Sequence, residues 1–131
     1  MIGSSANHEF SRIKTRVLAE RKCIPCEKGS TSPIKGEAIK PYLNEISEGW
    51  YVEHGKKIRR KFKLKDFRQN MDFVNKIAEI AEAEGHHPDL CIFWNILEVS
   101  LWTHVIGSLS ENDFIMAAKI DGLYDAIFKR G

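Results

Sequence analysis

Three imidazoles and one carboxylate stand out as groups able to move protons. Glu82-Ala83-Glu84-Gly85-His86-His87-Pro88 places two histidines at the end of a helix-like stretch, and His104 follows within the next strand pair. An imidazole with an unperturbed pKa of about 6.5 can donate or accept a proton near neutrality. One ring could therefore protonate a leaving hydroxyl while another removes a proton elsewhere on a substrate. Proline biases His87 toward extended backbone, so the two rings leave the chain in different directions. Glu82 lies one helical turn before His86, where it could orient a ring or meet a polar substrate.

A metal centre is the other chemistry open to three histidines. Against it, neither Glu82 nor Glu84 falls in a standard ligand pattern, and adjacent histidines rarely direct both rings to one ion. Cys23-x-x-Cys26 is half of a zinc-ribbon signature with no second pair, and Cys91 reads as a core strand residue. Asp113 has two readings. It could be a helix N3 residue favoured by the macrodipole, or a site residue turned toward His104. Trp50, Trp94 and Trp102 could stack on a flat heterocycle, although strand aromatics usually pack in cores or interfaces.

The elements that would position these groups can be read from periodicity and punctuation. Residues 1–22 are an arm or short helix, and Cys23 to Pro33 is a loop rich in turn formers. Ile39, Leu43 and Ile46 have helical spacing, with Pro41 setting a kink or a start. His54-Gly55-Lys56 separates two strands; in the second, Ile58, Phe62 and Leu64 share a face with Arg60, an exception that suggests an edge. Asp66 and Gln69 form a capping-box pattern, and Phe67, Met71, Val74, Ala78 and Ala81, flanked by Phe73, Ile77 and Ile80, trace the broad buried stripe that follows. Gly85 ends that helix. A second hairpin turns near Asn95, and Ser110 with Asp113 starts a last helix, stapled by Leu109 and Phe114.

The order α-β-β-α-β-β-α predicts an α+β two-layer sandwich, a four-stranded antiparallel sheet with three helices on one face. A turn near Asn95 would bring Pro88 and Thr103-His104 to the same end of the hairpin, gathering the three histidines at one rim.

Composition narrows the functional classes. The chain has 131 residues, 43% apolar, and 20 basic against 18 acidic side chains. That suits one domain with a core and gives no electrostatic footprint for nucleic acid. The basic run from Lys56 to Lys61 reads as a solvated hairpin face. Three cysteines make no even disulfide set, and neither a secretory signal nor a membrane span is recognisable, so the cytoplasm is the expected compartment.

From about Pro41 onward the chain resembles the pterin-4a-carbinolamine dehydratase family. The resemblance rests on Gly49-Trp50, Ile58 to Phe62 running into Lys65-Asp66-Phe67, and Glu82 before His86-His87-Pro88. It continues through Asn95, Thr103-His104, Gly107, Leu109-Ser110 and Asp113. It implies a domain at 34–131 behind an extension at 1–33, and dehydration of 4a-hydroxytetrahydrobiopterin to quinonoid dihydrobiopterin in cofactor recycling. His86, His87 and His104 would be catalytic, and together with Glu82, Pro88 and Thr103 would bind substrate. It also implies no metal or organic cofactor, and a homodimer or homotetramer. Animal members also serve as dimerisation cofactors for a homeodomain transcription factor, so a protein-binding role is the alternative. Gly85, Trp102 and Val105-Ile106 depart from the family's commonest residues, which puts one polar substrate contact and the pocket's shape in question.

Overall fold

The computed structural model describes residues 17–24 and 31–130. The expected arm before residue 17 and Cys26 lie outside the described residues. A helical turn at 17–20 comes first. A 3-10 turn at Gly36–Ala38 then leads into the short helix α1 (Ile39–Leu43), with Pro41 inside it. The hairpin β1 (Tyr51–Glu53) and β2 (Lys57–Lys63) precedes the long helix α2 (Phe67–Glu84). A second hairpin, β3 (Asp89–Ile92) and β4 (Ile96–Leu101), precedes α3 (Glu111–Arg130). The strands form one antiparallel sheet in the order β1-β2-β4-β3. This is the α+β arrangement expected from the sequence.

Alternation decides which face is covered. Ile58 and Phe62 of β2 and Leu97, Val99 and Leu101 of β4 are fully buried, in one cluster with Phe73 and Ile77 of α2 and Phe114 and Ile120 of α3. On the other face Arg59 pairs with Glu53 and Glu98, and Lys61 lies near Glu98. The basic run is thus largely a solvated ion-pair face. The first hairpin turns through His54 and Gly55, both at positive φ (55° and 69°), the geometry that matches strand twist.

Three expectations are corrected. Of the broad stripe expected on α2, Phe73, Ile77 and Ala81 are buried, but Asn70 joins them while Phe67 and Ala78 are exposed. Asn70 displaces the apolar alternative because its amide donates to the Phe93 and Ile96 carbonyls (2.7 and 3.2 Å), fastening the β3–β4 turn. Arg60 is not at an edge. It sits on an inner strand, paired with Asp121 of α3 and stacked 4.2 Å from the Phe62 ring centroid. A Cβ at Gly49 would come within 2.7 Å of its Nε, so only glycine leaves that guanidinium room. Cys91 is exposed on the edge strand β3 and not in the core. Among the described residues no helix is long and apolar enough to cross a membrane.

Candidate active site

The site is built where α2 hands over to β3. Gly85 closes α2 in the left-handed conformation (φ 68°), its N–H and that of His86 both returning to the Ala81 carbonyl (2.9 and 3.3 Å). Pro88 then prevents helical resumption, and β3 begins at Asp89. Asp89 lies opposite Ser100 of β4. In an antiparallel pair, the residues before Asp89 therefore run alongside those after Leu101. Beyond β4, Thr103 bridges Ser108 across a tight loop whose first residue is His104. The His86-His87 corner and His104 share one end of the sheet.

A buried carboxylate links these segments. Asp113, wholly buried in the first turn of α3, accepts from the Ser110 backbone N–H (2.9 Å) and the Thr103 hydroxyl (2.8 Å) through Oδ2. Its Oδ1 lies 2.7 Å from His86 Nε2. A carboxylate only accepts, so the hydrogen of this bond sits on Nε2. The single Thr103 hydrogen is used on Asp113, so in the 2.7 Å contact between hydroxyls Ser110 donates to Thr103. Each member is held by another, which fixes one orientation for the His86 ring.

The other two histidines lie nearer solvent. His87 Nε2 is 2.6 Å from Glu82 Oε2, with side chains 59% and 78% exposed. His104 is exposed and stacks on Trp102, ring centroids 4.0 Å apart and tilted by 34°. Trp102 is itself steadied by a bond from Nε1 to Asp89 Oδ2 (3.1 Å), with Lys57 Nζ 5.4 Å from its ring centroid.

The candidate residues thus divide by depth. Glu82, His87 and His104 are exposed, Pro88 is half-buried, and His86 and Thr103 are buried beneath. Glu82 meets His87, although its sequence spacing pointed to His86. Asp113 is both a capping residue and the partner of His86, not of His104. The Ser110-to-Asp113 spacing reveals the cap, but nothing in the sequence says where the second carboxylate oxygen goes. Of the tryptophans, Trp50 is in the core, Trp94 is exposed and Trp102 supports His104. Among the described residues, no group of three or more His, Cys, Asp or Glu is disposed to hold a metal ion.

Comparison with known proteins gives a consistent result. The sequence model of the family described as "Pterin 4 alpha carbinolamine dehydratase" matches residues 32–123. A protein of Alkaliphilus metalliredigens carrying that family's name is 44% identical over 104 residues, covering 79% of this chain and 93% of the relative. The Arabidopsis thaliana "Pterin-4-alpha-carbinolamine dehydratase 2, mitochondrial" is 37% identical over 125 residues, covering 92% of this chain and 66% of the relative. A crystal structure from Brucella melitensis, described as a transcriptional coactivator/pterin dehydratase, superimposes with a TM-score of 0.67 at 30% identity. That match covers 71% of this chain and 99% of the other.

Proposed function

The chain belongs to the pterin-4a-carbinolamine dehydratase family, and on that premise we propose that it removes water from 4a-hydroxytetrahydrobiopterin to give quinonoid dihydrobiopterin, in tetrahydrobiopterin recycling. The reaction needs two proton transfers. A proton reaches the C4a hydroxyl, the C4a–O bond breaks with loss of water, and the N5 lone pair forms the C4a=N5 bond. The N5 proton then leaves to a base.

His87 and His104 suit the two transfers because both are accessible and stand at one end of the sheet. Glu82 would steady His87, and Trp102 His104. His86 would contact the pterin from beneath, its tautomer set by Asp113, while Pro88 and Thr103 complete the wall around it. The observation that carries this reading is the antiparallel register Asp89↔Ser100, which sets the His86-His87 corner beside Thr103-His104. A self-associating protein is supported by Ile92, Phe93 and Trp94, exposed at the end of the edge strand β3, as a homodimer or homotetramer would cover them. The free, exposed thiol of Cys91 suits a reducing compartment such as the cytoplasm.

Dehydration of synthetic carbinolamine tests the proposal. Wild type should accelerate it, and His87→Ala or His104→Ala should each lose about 10²–10⁴-fold while remaining folded. His86→Ala should lose rate as well. Full activity in all three folded variants would sink the assignment. The same exposed edge favours a second reading, a dimerisation cofactor for another protein, with or without dehydratase activity. A stable partner recovered by a protein without measurable dehydration would select it.

A further inference from the structure

Residues 17–24 precede the matched stretch at 32–123, yet they are fastened to both helices that flank the site. Leu18 is buried in the main core, 1% exposed. The Cys23 N–H donates to Glu84 Oε1 (2.8 Å), at the last residue of α2 and two positions before His86. Next along the chain, Ile24 is gripped at both polar backbone atoms by one side chain. Its N–H donates to Asn112 Oδ1 (2.8 Å), and its carbonyl accepts from Asn112 Nδ2 (2.6 Å). Asn112 adjoins Asp113 and is itself 1% exposed.

Further contacts tighten the same seam. Arg21 pairs with Glu111, the first residue of α3. Lys119 donates to the Ala19 carbonyl and lies 3.7 Å from Glu84 Oε2, so it reaches from α3 to both the segment and α2. Ile34 crosses the same helix start, its N–H bonded to the Leu109 carbonyl at 2.7 Å.

The 2.7 Å contact between His86 and Asp113 joins the end of α2 to the start of α3. These are the two positions that the segment grips. We propose that residues 17–24 act as a strap that holds this pair in register, with Glu84 and Asn112 as positioning residues. The proposal rests on the dehydratase reading given above for its kinetic consequence. Neither residue is among those proposed to meet the substrate. Each acts by fixing the backbone beside a site residue, and hydrogen bonds weaken steeply when their geometry opens. A fastening that served stability alone would leave the folded enzyme's rate unchanged, so the two roles give different measurements.

The full-length protein is compared with Asn112→Ala, which removes both bonds to Ile24, and Glu84→Ala, which removes the acceptor of the Cys23 N–H and the carboxylate beside Lys119. Amide hydrogen exchange is followed over residues 17–24, 85–87 and 110–113, alongside steady-state dehydration kinetics. Release of the strap should speed exchange in all three stretches and lower kcat about tenfold with KM changed by less than about twofold, since a misplacement of about 1 Å near a reacting group can cost about 10²-fold. If exchange rises at 17–24 while the two site corners and kcat stay as in wild type, the proposal is overturned. Unchanged exchange at 17–24 in both variants overturns it as well. Should Asn112→Ala fail to fold, Glu84→Ala decides by the same criteria. If wild type shows no dehydration, the functional reading fails separately, and exchange at the two corners alone decides the strap.

Discussion

Two buried aspartates on one helix serve different purposes. Asp113 and Asp121 lie about two turns apart on α3, and both are almost wholly shielded from solvent. Asp121 accepts from the Ser47 N–H (3.0 Å) and from Trp50 Nε1 (2.9 Å), and it pairs with Arg60. Burial pushes its carboxyl above the ordinary carboxylate range, against the lowering pull of Ser47, Arg60 and Trp50. None of those partners is an imidazole. Asp113 also has both oxygens bonded, but one of them faces an imidazole. Burial and saturation make a fastening in either case. Under the proposed function the imidazole that Asp113 holds is one that meets the pterin, which makes that fastening a support of the site.

The comparison predicts opposite phenotypes. Asp121→Ala should be the most damaging to stability, about 3–5 kcal/mol, because it strands the Arg60 guanidinium in the interior. The molecules that remain folded should turn over at the wild-type rate. Denaturant titration combined with rate per folded molecule measures both, and a specific loss of rate would break the distinction. Asp113→Asn should do the reverse. The amide fills the same space but no longer sets the His86 tautomer, so kcat should fall about 10²-fold. An unaltered rate in that variant would make Asp113 a mere cap.

A smaller effect is expected one layer out. Trp102→Ala removes the ring on which His104 stacks, a contact worth about 0.5–1.5 kcal/mol, so the rate should drop roughly three- to tenfold. Trp102→Phe should restore much of it. Equal losses in both variants would assign the effect to the lost bond to Asp89, not to stacking.

The site was more legible in the sequence than its supports. His86-His87-Pro88 stands out because glycine ends a helix before it and proline forbids another, which fixes a corner from local chemistry alone. The convergence with His104 needed only the turn near Asn95, and β3 and β4 do pair about that turn. Periodicity found Phe73, Ile77 and Ala81 on α2 but failed on Asn70, which occupies a core position for the sake of two carbonyls far along the chain. It failed on Arg60 for a similar reason, since the carboxylate that admits it to an inner strand lies 61 residues away. No local pattern reports such pairs. Asp113 lies between these cases, with one oxygen capping its own helix and the other reaching His86 27 residues back.

The smallest effect predicted concerns Glu84, and it separates the supports from the two aspartates by their response to acid. The Cys23 N–H, then Lys119 and Lys22, hold its carboxyl below the ordinary value of 4.5, outweighing the opposing effect of its burial. A carboxylate depressed in the folded state binds its proton more readily once the chain unfolds. Its contribution to stability is therefore complete above that ordinary value and is lost as pH falls through the lower folded value. Wild type and Glu84→Gln should differ in stability by about 1 kcal/mol or less near neutrality. Thermal melts from pH 7 down to about 3 should show the difference shrinking, with the change confined to the acid side. A gap between the two proteins that stayed constant over the whole range would mean that the charge on Glu84 does nothing to hold Cys23, and that shape alone retains the segment.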